Sequence, residues 1–182
     1  MKVVREFVKQ LELKNIILCG HSLGGAIVLS YYLKYPNEPK GLILCGTGAR
    51  LRVHPNILNN LKNNFQEYLN SIPIAAFYRK TDEKIIKKHV KKTSQVDPEV
   101  IYQDFKICDA FDIMDKVEEI DIPSLIIVGN ADKLTPMKYG KYLEEEIEIS
   151  LLDIIEDAGH QVMLEKPEEV NKSITNFLEK FF

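Results

Sequence analysis

The stretch Asn15-Ile16-Ile17-Leu18-Cys19-Gly20-His21-Ser22-Leu23-Gly24-Gly25-Ala26 decides the fold. Asn15–Cys19 is a short, continuous apolar run, the pattern of a parallel strand buried on both faces. Gly20–Gly25 reads as a glycine-bearing turn. Ala26–Tyr35 reads as a helix that stops before Pro36. Gly20-His21-Ser22-Leu23-Gly24 fits G-x-S-x-G, a short pattern that gains weight from the strand before it and the helix after it. A sharp turn there lifts the Ser22 side chain above the sheet edge, and the flanking Gly20 and Gly24 keep Cβ atoms out of a crowded bend. The following helix points the positive end of its dipole at developing negative charge.

Working outward, the strand–helix alternation repeats. Lys40–Cys45 is a second buried strand, closed by Gly46-Thr47-Gly48. Ser124–Val128 and Ser150–Ile155 are a third and a fourth, and Met137–Glu146 is the helix between them. Two amphipathic helices bracket the chain. In Val3–Leu13, Val4, Phe7, Val8 and Leu11 share a face. In Pro167–Phe181, Val170, Ile174, Phe177 and Leu178 do. This alternation predicts an α/β fold: a predominantly parallel sheet of about four strands flanked by helices. Right-handed crossovers then bring every strand-to-helix turn to one edge, where ligands bind in open α/β sheets. Residues 1–50 and 120–182 form the core. Residues 51–119, with Leu58, Leu61, Phe65 and Leu69 at helical spacing, form an insertion expected to cap that edge.

The 182 residues are 45% apolar and 28% charged, ordinary for a globular chain with a sizeable core. A formal net charge of -3 supplies no basic field for nucleic acid or anionic lipid. No apolar run approaches the ~20 residues that span a bilayer, and Met1–Phe7 lacks the apolar run of a signal peptide. Cys19, Cys45 and Cys108 are odd in number and form no CxxC pair, which argues against a disulfide framework or a zinc site. Cys19 and Cys45 sit in apolar runs and read as small buried hydrophobes, suited to a reducing cytoplasm.

A serine hydroxyl is a weak nucleophile at neutral pH and needs a base, which in turn needs an orienting acid. Asp132 follows the third predicted strand and His160 follows the fourth, so both fall at the edge where Ser22 is expected. Their chain order is Ser, Asp, His. Asp153 and Asp157 compete with Asp132 less well, because neither follows the third strand.

The segments GHSLGG, GNADKLTP and AGHQVMLEKPEEVNKSITNFL resemble the α/β-hydrolase superfamily, in its capped esterase, lactonase and C–C-hydrolase-like branch. The resemblance implies Ser22 as nucleophile, His160 as general base and then acid, Asp132 as the acid behind it, and the Leu23 N–H as an oxyanion donor. It implies hydrolysis of a small-molecule ester, lactone or related acyl bond through an acyl-enzyme, with no metal and no organic cofactor. Members of the superfamily place the nucleophile after the fifth strand, whereas about twenty residues precede Ser22 here. Measured against that pattern the fold reads as truncated, without the first four strands and the loop that supplies a second oxyanion donor. Loss of one such donor costs roughly 10²–10³ in rate, so weak activity of this chain alone is expected. The strand 15–19 then becomes an open edge, prone to self-association or to pairing with an N-terminal fragment.

Other readings stand beside this one. The same triad supports acyl transfer, C–C cleavage and perhydrolysis. A non-catalytic binding module descended from a hydrolase is the alternative from another class. A phosphate loop is disfavoured, because GHSLGG lacks the Lys-Ser/Thr that follows in that motif. Among individual residues, His21 is expected to pack beside the nucleophile. His54 and His89 are expected in solvent, and Lys84–Lys92 as a solvated helix face. Asp109 and Asp112 either approach the pocket or hold structure. Phe65, Phe77, Tyr78 and Phe111 either line an acyl pocket or pack the cap on the sheet.

Overall fold

The computed structural model describes residues 2–182. In chain order its elements are α1 (Lys2–Gln10), β1 (Ile16–His21), α2 (Leu23–Lys34), β2 (Pro39–Cys45), α3 (Pro55–Asn63), α4 (Phe65–Ala76), α5 (Glu83–Thr93) and α6 (Pro98–Ala110). A 3-10 turn at Met114–Glu119 leads to β3 (Ser124–Gly129), α7 (Met137–Glu146), β4 (Ser150–Ile155), α8 (Val162–Glu165) and α9 (Pro167–Phe181). Among the described residues the strands form one four-stranded, all-parallel sheet in the order β1-β2-β3-β4. Among those residues, no helix is long and apolar enough to cross a membrane.

Side chains alternate between the two faces along each strand, and the two cores follow from that period. Leu42 and Leu44 join Val28, Leu29 and Tyr32 of α2 and Leu143 of α7 on one face. Ile43 and Cys45 join Val170 and Phe177 of α9 on the other. All six residues of β3 are buried, as befits a central strand covered on both sides. The insertion has its own core, in which Leu61, Tyr68, Leu69, Ile72 and Phe77 pack with Leu134 from the loop after β3.

Two expectations are corrected here. Cys19 is exposed rather than buried, whereas Cys45, one strand further in, is buried. The reason is position: β1 lies at the sheet edge, and Ile16, Ile17 and Leu18 are only half-buried. The first helix ends at Gln10 instead of Leu13, just ahead of Glu12 in the left-handed region at φ 50°. Of the four apolar residues read onto its packed face, Val8 is buried and Val4 half-buried, while Phe7 and Leu11 are exposed.

Candidate active site

The turn after β1 is tighter than the sequence implied. Gly20 and His21 still belong to the strand and α2 begins at Leu23, so the chain reverses on Ser22 alone. Ser22 takes φ 53° and ψ -118°, a conformation that costs a non-glycine residue about 1–3 kcal/mol. The surroundings hold it there. Its N–H donates to the Cys45 carbonyl at 3.0 Å, and its carbonyl accepts from the Thr47 hydroxyl at 2.9 Å. Gly20 is required by space, because a Cβ there would lie 2.2 Å from the Gly24 carbonyl oxygen. As the first residue of α2, Leu23 offers an N–H that no intrahelical carbonyl can accept.

The loops after β3 and β4 are tied together. Asn130 N–H donates to the Ile155 carbonyl and Ala131 N–H to the Ala158 carbonyl, each at 2.9 Å. That pairing brings Asp132 and His160 into contact, with His160 Nδ1 2.9 Å from Asp132 Oδ2. They are 6% and 4% exposed, so the pair is shielded from solvent screening. Asp132 also accepts from the Leu134 and Thr135 N–H groups, both at 2.8 Å, and from the Thr135 hydroxyl at 2.7 Å. Burial pushes its carboxyl up, but the His160 hydrogen bond and charge, with the Thr135 donors, outweigh burial and hold it below the ordinary carboxylate range. An ionised carboxylate only accepts, so His160 Nδ1 carries the proton and Nε2 presents its lone pair.

His21 packs against His160, with ring centroids 4.6 Å apart. Its Nε2 lies 2.8 Å from the His160 carbonyl and donates to it. Burial, then the nearby His160 charge, lower the His21 imidazole to about 4, so it is neutral at pH 7 and serves as a brace.

Ser22 and His160 line one cavity of about 300 Å³, although no hydrogen bond joins the serine hydroxyl to the imidazole. Such bonds often tighten only in the substrate complex. The cavity's far wall is the helical insertion, which contributes Ile57, Tyr68, Ile72, Ala75 and Phe105. Phe65, Phe77, Tyr78 and Phe111 are not on this wall. Phe65 and Phe77 pack in the insertion's own core, and Phe111 packs against the core on the α2 face. His89 corrects the expectation of solvent exposure: it is half-buried, borders the cavity and meets the Phe77 ring edge-on at 5.3 Å. Burial, followed by the His160 and Lys92 charges, lowers its pKa. His54 is exposed, but it stands at the cavity and caps α3 by accepting from Asn56 N–H. Asp109 and Asp112 are structural: Asp109 accepts from Val53 N–H, and Asp112 pairs with Arg50 at 2.6 Å. Among the described residues, no cluster of three His, Cys, Asp or Glu side chains gathers to hold a metal.

One carboxylate escaped the sequence reading. Glu165 of α8 accepts from the Gly159 N–H at 2.9 Å, from the Tyr78 N–H at 2.8 Å and from the Thr81 hydroxyl. It thereby joins the His160 loop to the chain leaving α4, where a Cβ on Gly159 would come within 2.7 Å of the Phe77 and Tyr78 backbone. In Glu165→Gln an amide NH₂ must face one of those donors. The variant is expected to lose about 10- to 100-fold in kcat with little change in KM, since small misplacements of a reacting group cost that much. A lower melting temperature with unaltered kcat would show the contact to be purely structural.

The sequence matches the family described as serine aminopeptidase, S33, over residues 1–167. It is 30% identical to the hydrolase YugF of Bacillus subtilis over 98% of this chain and 70% of that protein's length. A solved thermophilic esterase superposes with a TM-score of 0.84 at 38% identity, over 92% of this chain and 67% of that one. The enol-lactonase of Burkholderia xenovorans LB400 superposes with a TM-score of 0.89 at 20% identity, over 97% and 70% of the two chains, a likeness of fold.

Proposed function

Because the chain belongs to the serine aminopeptidase S33 family of the α/β-hydrolase superfamily, we propose that it is a serine hydrolase cleaving an ester or related acyl bond through Ser22, His160 and Asp132. The observation that carries this reading is the buried 2.9 Å contact between His160 and Asp132, behind an imidazole that shares its cavity with Ser22. The Ser22 hydroxyl passes its proton to His160 Nε2 as its oxygen attacks the substrate carbonyl. Negative charge then develops on the carbonyl oxygen, where the free Leu23 N–H donates. Asp132 stabilises the imidazolium. As the tetrahedral intermediate collapses, His160 returns the proton to the leaving alcohol, and a water attacks the acyl-enzyme by the same route.

The family description covers peptide cleavage, but the cavity favours an ester. An aminopeptidase must bind a free α-ammonium group, and a buried ammonium calls for a carboxylate partner. No Asp or Glu is among the described residues lining this cavity. The insertion over the cavity acts as the cap that excludes water and shapes the acyl site.

A fluorophosphonate probe tests the proposal, because it reacts only with an activated hydroxyl. The expected result is labelling of the wild-type chain and none of Ser22→Ala. Absence of labelling in a folded wild-type chain would favour the non-catalytic binding module instead.

A further inference from the structure

The permanently charged side chains of the cavity share one sign. Arg52 and Lys133 stand at it beside four histidines, His21, His54, His89 and His160, and among the described residues no carboxylate lines it, in a chain whose net charge is -3. Lys133 Nζ donates to the Ile74 carbonyl at 3.0 Å, a neutral acceptor in the last turn of α4, so its position is fixed while its charge is not neutralised. Arg52 is anchored in the same way by the Asp109 carbonyl at 3.1 Å. The carboxylate near it, Asp112, lies 3.6 Å away and is engaged at 2.6 Å by Arg50. One carboxylate thus serves two guanidiniums. The Asp109 carboxylate is engaged by the Val53 N–H at 3.0 Å, and Asp132 is buried behind His160 and bonded to it. The same cavity is also lined by the apolar side chains of Leu51, Val53, Ile57, Ile72 and Ala75.

We propose that the site takes short esters whose acyl part ends in a carboxylate, with Arg52 and Lys133 as the determinants that hold that end. This inference rests on the hydrolase reading above and names the substrate class for the same cavity. The cavity of about 300 Å³ lies at the small end of ligand sites and has room for a short dicarboxylic monoester. The guanidinium fork matches a carboxylate, and the apolar wall suits the methylenes between the two ends. Both cations are exposed, so each contributes a few-fold rather than orders of magnitude, and salt screens them.

The test compares the monomethyl ester of glutaric acid with its isostere carrying an isopropyl group in place of the carboxylate. At low ionic strength the anionic ester is expected to have the higher kcat/KM, by roughly tenfold. That ratio should fall with added salt and in Arg52→Gln and Lys133→Gln, and should persist in Lys88→Gln on the exposed face of α5. A ratio of one or below, or one that both cavity variants leave unchanged, overturns the proposal. Glutarate binding measured by calorimetry separates this inference from the hydrolase reading, since it needs no turnover. Binding weakened by Arg52→Gln and Lys133→Gln upholds the anion site even if Ser22 never labels. Labelling of Ser22 without glutarate binding removes the anion site and leaves the hydrolase.

Discussion

Alanine at Ser22, alanine at His160 and both together are expected to lower kcat to one common residual level, a loss of roughly 10⁶-fold. The equality is the informative part. If the hydroxyl and the imidazole act as a unit, removing either abolishes the proton transfer, and removing the second takes away nothing more. Independent contributions would multiply instead, and the double variant would fall well below either single one. The residual rate belongs to groups left in place, chiefly the Leu23 N–H at the start of α2 and the cavity walls. His160→Ala also deletes a buried ring that braces His21, so folding must be checked by circular dichroism. Ser22→Ala carries no such burden beyond the unusual backbone angle, which alanine tolerates about as poorly as serine. Steady-state kinetics on a short p-nitrophenyl ester, with melting curves for each variant, decides the matter. A double variant tenfold or more below both single ones would refute a concerted Ser22–His160 pair.

How much of this was legible beforehand varies by element. The bounds of α7, β4 and α9 match the sequence reading residue for residue. Pro136 and Pro167 set the starts of the two helices, and the apolar run Ser150–Ile155 leaves little choice of strand. That Asp132 and His160 share one edge of the sheet was legible from crossover handedness, whereas the neighbouring positions of β3 and β4, which bring the two side chains into contact, come from the structure. The cavity wall was not. In the insertion, from α4 to α6, the helical period marks apolar residues without saying which face meets its neighbours and which meets the cavity. Tyr68 and Phe105 reach the cavity, while Phe65 and Phe77 do not. The burial expected of Cys19 conflicts with the open edge expected of strand 15–19, and the structure sides with the edge: β1 is an outer strand of the sheet and Cys19 is exposed. Thr135 and Glu165 act through hydrogen bonds to distant or turn-bound partners, which periodicity does not register. For Thr135 a local signal existed: Asp132 caps its own turn through the amides two and three residues on.

Asparagine at Asp132 is expected to reduce kcat by about 10⁴ while leaving KM within a few-fold. The two oxygens of Asp132 accept four hydrogen bonds: from His160, from the Thr135 hydroxyl and from two backbone amides. An asparagine has one oxygen and one NH₂ for the same four donors. If the oxygen stays with the Leu134 and Thr135 amides, the NH₂ faces His160 Nδ1 and forces the imidazole to carry its proton on Nε2, where it cannot accept from Ser22. If the amide flips, the ring keeps its tautomer but the turn loses its cap, and in either case the imidazolium has no anion behind it. The pH dependence separates electrostatics from packing. The Asp132 carboxyl is held below its ordinary value in the folded chain. Its ionised form therefore contributes stability that is fully present above the unfolded value of about 3.9 and is lost as pH falls through the folded one. The wild-type protein should out-melt Asp132→Asn by a constant margin near neutrality, and that margin should shrink below about pH 4. A margin that stays constant into acid would mean that the asparagine fails through its shape alone, and the carboxylate's charge would lose its place in the mechanism.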